Sequence, residues 1–324
     1  MNAPRALAQS LLLLVLVFIA RTSAAQQYPD RPIRLIVPFS PGGGADLAAR
    51  VISERLGKQL GQSVVIENKP GAGATIGADY VAKSAPDGYT ILYCTPGPQI
   101  INPYLMKKLP YDPVNAFAPI AHLVVIPNIL VVYPGLPAKS LKELIELAKA
   151  QPGKINFASS GIGATSHLAG ELFKASAGIQ IVHVPYKGTG VAVQDLLGGN
   201  IQMAIDSINV YLPYVKTGHL RALAVSMLER LPLLPDLPTM AETLPGFDAY
   251  GVSYATAPAR TPRAIIERLN REFNAVLNAP DVRERLVGMG AIPAGGTPDE
   301  LEQVIRSETR KWKKVIEISG ATAD

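Results

Sequence analysis

The 324 residues include one cysteine, one tryptophan and four histidines, and only 6% are aromatic. A lone cysteine, Cys94, excludes an internal disulfide, so stability must come from burial. It closes the apolar run "YTILYC" and reads as a small buried hydrophobe. The histidines, His122, His167, His183 and His219, show no metal-ligand spacing, and "HLAGE" lacks the second histidine of a zinc-protease helix. There is no G-x-S-x-G elbow, because the serine-rich turn reads Phe157-Ala158-Ser159-Ser160-Gly161. No glycine turn is followed by a Walker lysine. "GAGATIG", Gly71 to Gly77, misses the dinucleotide fingerprint by one residue. No long Lys/Arg run is present, which argues against nucleic acid as a partner. These absences predict no catalytic residue, no metal and no cofactor.

The first 25 residues carry a different signal. Arg5 supplies a positive start, Leu11 to Ala20 an unbroken apolar run, and Ser23-Ala24-Ala25 a small-residue cleavage site. The run is too short to span a bilayer. It predicts export with a cleaved signal peptide over residues 1–25 and a mature start near Gln26. Without those residues Lys+Arg falls from 31 to 29 against 26 acids, so the mature net charge is +3. About 300 residues, 48% hydrophobic over the whole chain, are enough for two α/β domains.

The apolar pattern alternates between strand and helix. "PIRLIVPF" reads as a strand ending in the turn "SPGGGAD". Beyond it Ala48, Ile52, Leu56 and Leu60 recur every four residues, which predicts a helix capped by Asp46. "SVVIEN" and "YTILYC" read as further strands around a second helix, a βαβ rhythm that implies a parallel sheet. The plan repeats in "KINFASSGIGATSHLAGELFKASAGIQIVHVPYKGTG", with Gly42-Gly43-Gly44 set against Gly161-Ile162-Gly163. Two similar units suggest two facing lobes. The chain is expected to cross near Val124–Val131 and to return near Tyr250–Pro258, which allows a hinge. Residues 26–126 plus 251–324 would form lobe 1, and 127–250 lobe 2.

A glycine turn ahead of a helix exposes backbone N–H groups, and the helix N-terminus is partially positive. Together they bind an anion without a basic side chain. Two such turns, one bearing Ser159, Ser160, Thr165 and Ser166, predict a cleft that grips an acid from both sides.

Several long segments in order resemble the Bug receptors, the extracytoplasmic solute-binding proteins of tripartite tricarboxylate transporters. They are "YPDRPIRLIVPFSPGGGADLAARVISERL", "VVIENKPGAGATIGADYVAKSAPDGYTIL", "INFASSGIGATSHLAGELF", "VPYKGTGVAVQDLLGGNIQMAID" and "PLLPDLPTMAE". The resemblance implies an α/β, two-lobed periplasmic binding protein, each lobe a Rossmann-like sheet flanked by helices, with the ligand cleft between the lobes. It implies ligand contacts from Ser40, Pro41, Gly42, Gly43, Gly44 and Asp46, and from Ser159, Ser160, Gly163, Thr165 and His167. Asp206, Thr95, Gln99 and Tyr254 complete the expected site, Asp206 in a loop-holding role. The expected partners are an organic carboxylate (a di- or tricarboxylate, or an aromatic acid) and a membrane permease, with the receptor a periplasmic monomer. A secreted enzyme acting on an organic acid and an orphan sensor receptor are the alternatives. Family members carry Thr-His ahead of the Asn-Pro pair and Trp, an aromatic residue and Gly before Ala-Pro. Here Pro98 and Gln99 precede Asn102-Pro103, and Val252, Ser253 and Tyr254 stand at the second place. The distal end of the pocket is expected near Pro98, Tyr250 and Tyr254.

Overall fold

The computed structural model describes residues 28–323, and the expected export signal at 1–25 lies outside the described residues. Strand β1 (Ile33–Val37) leads through the first glycine turn into helix α1 (Gly44–Leu60), then β2 (Val64–Asn68), α2 (Thr75–Ala82) and β3 (Thr90–Cys94). β1 lies between β2 and β3, parallel to both. β1 and β3 are almost wholly buried, which is why they read as continuous apolar runs without alternation. The thiol of Cys94 is buried within β3, and burial pushes its pKa up to about 12, the state of an inert hydrophobe. After a short turn of helix, α3 (Asn102–Leu105), the long β4 (Phe117–Ile126) runs toward the second sheet.

Only Pro127 separates β4 from β5 (Asn128–Val132), the first strand of that sheet. There follow α4 (Leu141–Ala150), β6 (Asn156–Ser159), α5 (Thr165–Ala177), β7 (Val182–Pro185), α6 (Thr189–Leu197), β8 (Met203–Ser207), α7 (Ile208–Lys216) and β9 (Arg221–Val225). The chain returns through a Pro-rich segment to β10 (Gly251–Pro258) in the first sheet. It ends with α8 (Arg263–Asn278), α9 (Pro280–Gly288), β11 (Ile292–Pro293) and α10 (Pro298–Ser319).

The first sheet has the order β11-β4-β10-β3-β1-β2 and the second β7-β6-β8-β5-β9. Within them β3-β1-β2 and β8-β6-β7 are the same parallel arrangement, so the repeat seen in the sequence is a repeat of topology. Each set is flanked by an antiparallel strand that follows a crossing from the other lobe: β10 beside β3, and β5 beside β8.

Helix α1 buries Ala48, Val51, Ile52, Leu56 and Leu60 on one face and stops at Gly61, whose φ of 68° suits a residue without Cβ. Its start differs from the sequence reading. Gly43 is the N-cap and Asp46 the third helical residue. α10 begins with a complete capping box, Thr297 with Glu300, and packs against both β4 of the first lobe and α5 of the second. The tail expected to belong to lobe 1 therefore lies across both lobes. Trp312 is buried on α10 and donates to Glu308 Oε2 at 3.0 Å, a packing role.

Candidate ligand-binding site

The first glycine turn is held from behind. Gly42 takes φ +78°, and its amide donates to Asp46 Oδ2 at 3.0 Å. The same carboxylate accepts from Arg50 Nε at 2.8 Å and Nη2 at 3.0 Å, and from Asn68 Nδ2 at 2.9 Å. Burial pushes the Asp46 carboxyl up, but Arg50, the Gly42 amide and Asn68 outweigh it and leave the pKa below the usual range. Asp46 thus shapes the turn and is fully engaged in doing so.

The second turn repeats this backbone two residues out of register with the sequence comparison. Gly163 (φ +81°) matches Gly42, Ala164 (φ −77°, ψ 160°) matches the N-cap Gly43 (φ −77°, ψ 166°), and Thr165 matches Gly44. Local conformation sets the equivalence, and Gly161 lies outside it. His167 then falls where Asp46 stands, and its Nδ1 accepts from Gly163 N at 3.3 Å. Glu171 falls where Arg50 stands. Ser159 Oγ meets His183 Nε2 at 2.6 Å and accepts from Gly161 N at 3.2 Å, while Ser166 Oγ accepts from Ser160 N at 3.0 Å. The His183 ring is stacked between His167 (4.3 Å) and Phe157 (4.9 Å). Burial, reinforced by Lys174, lowers His167 to about 4. Burial, with His167 and Lys174, lowers His183 to about 3. Both rings are neutral at neutral pH, and an Nδ1 that accepts places the His167 proton on Nε2.

The expectation of no metal-ligand cluster misses one juxtaposition. The fold brings ligand-type atoms of His167, Glu171 and His183 within 4.8 Å of one another, although no linear spacing announces it. Each already has a partner: His167 Nδ1 accepts from the Gly163 amide, His183 Nε2 shares a hydrogen bond with Ser159 Oγ, and Glu171 pairs with Lys174 Nζ at 2.7 Å. The cluster props the second turn.

Between the lobes lies a narrow cavity of about 50 Å³. That is room for roughly three to five water-sized groups. The starts of four helices meet there: Gly43, Gly44 and Ala45 of α1, Ala164 and Thr165 of α5, Thr189 of α6, and Ser207, the N-cap of α7. Neither Lys nor Arg is among the residues that line it. First-turn amides have no intrahelical acceptor, so the cavity offers N–H donors and partial positive charge to an anion. Thr95, Ser160, Ser207 and Ser253 add hydroxyls, and Phe39, Pro96, Ile126 and Val252 form an apolar wall.

Of the expected site residues, Gly43, Gly44, Thr95, Ser160 and Thr165 line this cavity. Ser40, Pro41 and Gly42 lie beside it at the lobe interface. Ser40 Oγ donates to Lys187 O across the lobes at 2.7 Å, and Gly190 of lobe 2 packs against Pro41 O and Gly42. Gly163 faces Asn102 of lobe 1 so closely that a Cβ would fall 2.1 Å from Asn102 Oδ1. Asp46, Ser159 and His167 act from behind the turns. Asp206 is buried under the cavity floor and accepts from Thr189 Oγ1 at 2.9 Å and Ser207 N at 2.7 Å, the arrangement of a loop holder. Burial pushes its carboxyl up to about 6 against those hydrogen bonds.

Two expected residues lie elsewhere. Gln99 donates to Pro113 O at 3.2 Å and faces a separate groove. Tyr254 is fully buried in the core, because a register shift between Ser253 and Tyr254 leaves Gly251, Val252 and Ser253 at the cavity. The aromatic distal end is not formed as expected either. Pro98 is buried and does not line the cavity, and the Tyr250 ring centroid lies 3.5 Å from Lys311 Nζ. Asn128, Thr189 and Ser207 were missed, as was Asn209, whose Nδ2 donates to Gly44 O across the lobes at 2.8 Å. A Cβ on Gly44 would lie 2.7 Å from Asn209 Oδ1 and Ser207 Cβ, whereas one on Gly43 would have ordinary contacts. Gly44 is the tight glycine.

Residues 48–321 match the model of the tripartite tricarboxylate transporter family receptor. The chain belongs to this receptor family. BugT of Bordetella pertussis is 40% identical over 323 residues, 99% of each chain. Among solved structures, R. palustris Rpa4515 with adipate is 37% identical with a TM-score of 0.89, over 91% of this chain and 99% of that one. MatC from Rhodopseudomonas palustris with bound malate is 34% identical with a TM-score of 0.85, over 89% and 100%. The receptor shares their two-lobed fold.

Proposed function

We propose that this receptor is exported to the periplasm, captures an organic carboxylate between its lobes, and delivers it to the permease of a tripartite tricarboxylate-type transporter without altering it. The observation that carries this reading is the cavity where four helix N-termini converge with no basic side chain in its lining. Such a site holds a carboxylate by oriented amides, with hydroxyls beside them to complete its hydrogen bonds. The adipate and malate named for the two relatives are acids of the same class. A narrow cavity with one apolar wall suits a slender aliphatic diacid better than a broad aromatic one. The two crossings, at Pro127 and between β9 and β10, serve as the hinge for closure over the solute.

Calorimetric titration with adipate, malate and benzoate tests this reading, with mass spectrometry of the recovered ligand. One-to-one binding of an aliphatic diacid recovered unchanged is expected. Turnover of the acid, or no saturable binding of any carboxylate, contradicts it.

A further inference from the structure

A second cavity lies outside the cleft, in lobe 1, under the C-terminal helix. Along α10 the residues Glu302, Ile305, Arg306, Thr309 and Arg310 recur at three- and four-residue spacing and form one wall of a groove of about 410 Å³. That volume falls within the range of small-molecule sites, roughly 300–1,000 Å³. The facing wall is apolar: Tyr104 on α3, Val114 in the loop before β4, and Phe117 on β4. Tyr104 and Val114 are 45% and 78% exposed, an unusual pair of large apolar residues to leave at one mouth. Thr256 contributes to the floor. It is fully buried, and its hydroxyl has no hydrogen-bond partner among the described residues, a costly state for a buried polar group.

The charge at the rim is unbalanced. Arg306 pairs with Glu302 at 2.6 Å, while Arg310 has no ion pair or hydrogen bond among the described residues. The Lys313 ammonium lies 5.7 Å from the centroid of the Tyr104 ring and adds a further positive charge. Asp112, the acid nearest in sequence to Val114, spends its carboxylate on the amides of Val114 and Asn115.

We propose that this groove is a second ligand site for an amphiphilic monoanion: an alkyl or aryl body seated between Tyr104, Phe117 and Ile305, with a carboxylate held by the Arg310 guanidinium. A guanidinium offers a carboxylate two parallel donors, and the apolar walls take the body out of water. The site differs in kind from the cleft, which lacks basic side chains and grips with backbone amides.

Octanoate is the probe, with octylammonium and octanol as the cationic and neutral controls, titrated calorimetrically into the full receptor. Octanoate should bind saturably, octanol at least several-fold more weakly, and octylammonium not at all. Arg310→Ala should weaken octanoate about tenfold, the effect of one lost charge-assisted contact. Ile305→Trp, which fills the groove, should abolish it. Thr256→Val keeps the shape, replaces the unpartnered hydroxyl with a methyl beneath the alkyl body, and should strengthen octanoate binding. All three variants should retain the wild-type response of the cleft to a diacid, which also reports that they are folded. Gly44→Val, which obstructs the cleft, should leave octanoate binding intact. Absence of saturable octanoate binding to the wild type overturns the proposal. So does binding that survives Ile305→Trp and Arg310→Ala, or binding that disappears with Gly44→Val.

Discussion

The turns Gly42–Asp46 and Gly163–His167 have the same backbone, a left-handed glycine followed by an extended N-cap, but opposite supports. In lobe 1 the acceptor is an anion, Asp46, countered four residues on by Arg50. In lobe 2 it is the neutral ring of His167, with Glu171 four residues on, tied to Lys174. The amide geometry therefore depends on an acceptor at the third helical position, whatever its chemistry, and the chemistry decides how the turn responds to pH. Asp46 has a lowered pKa, so its contribution is complete above the ordinary aspartate value and is lost as pH falls through the lower, folded one. His167 is lowered from 6.5 to about 4. Between those values the unfolded chain takes up a proton that the native ring refuses, and stability falls as pH drops through that window.

Removing the lobe 1 support should have the largest effect. Asp46→Ala leaves the Gly42 amide without its acceptor, releases the half-exposed Arg50 to water and takes one of the two acceptors of Asn68 Nδ2, and urea denaturation should show a loss of about 2–3 kcal/mol, with carboxylate binding abolished. A loss below about 0.5 kcal/mol would mean that the turn holds itself.

Exchanging the supports sharpens the comparison. His167→Asp retains an acceptor for Gly163 but places a buried carboxylate beside Glu171, and should cost about 1–3 kcal/mol. Adding Glu171→Arg recreates the lobe 1 pair and should recover at least half of that loss. A double variant no more stable than the single one would show that the two turns are not interchangeable.

The smallest effect concerns Asp206, which has no counterpart pairing with a cation. Its folded pKa, near 6, is raised above the ordinary 3.8, so it favours the native state most at low pH and loses that contribution as pH rises from about 3.8 to 6. Asp206→Asn should flatten this part of the stability profile and raise stability at pH 7 by about 1 kcal/mol. An unchanged slope between pH 4 and 6 would remove Asp206 as its source.

Short-range signals were legible. Alternation of apolar runs with four-residue periodicity gave the βαβ units, and glycines ahead of helices located both turns. Positions set by distant contacts were not. Asp46 reads as a cap because aspartate commonly is one, and only the φ of Gly42 and the extended Gly43 place the helix start at Gly44. His183 reaches His167 because β7 pairs with β6, a neighbour relation without linear spacing. A strand irregularity turns Tyr254 into the core, and the Asn209–Gly44 tie joins residues 165 positions apart. The apolar wall of Phe39, Pro96, Ile126 and Val252 draws on four separate segments, none distinctive alone.

The central claim is that the receptor grips its ligand with backbone amides at closely packed glycine turns and not with basic side chains. Calorimetric titration of one aliphatic diacid into four proteins tests it most directly: wild type, Gly44→Ala, Lys69→Ala and Lys187→Ala, each first shown to be folded by its melting curve. Gly44→Ala introduces a Cβ against Asn209 and Ser207, and should weaken binding about tenfold or more by blocking close approach of the turn and lobe closure. The lysine variants should stay within about twofold, since neither lysine lines the cavity. Wild-type affinity in Gly44→Ala together with lost binding in either lysine variant would contradict the claim and make the grip an ion pair.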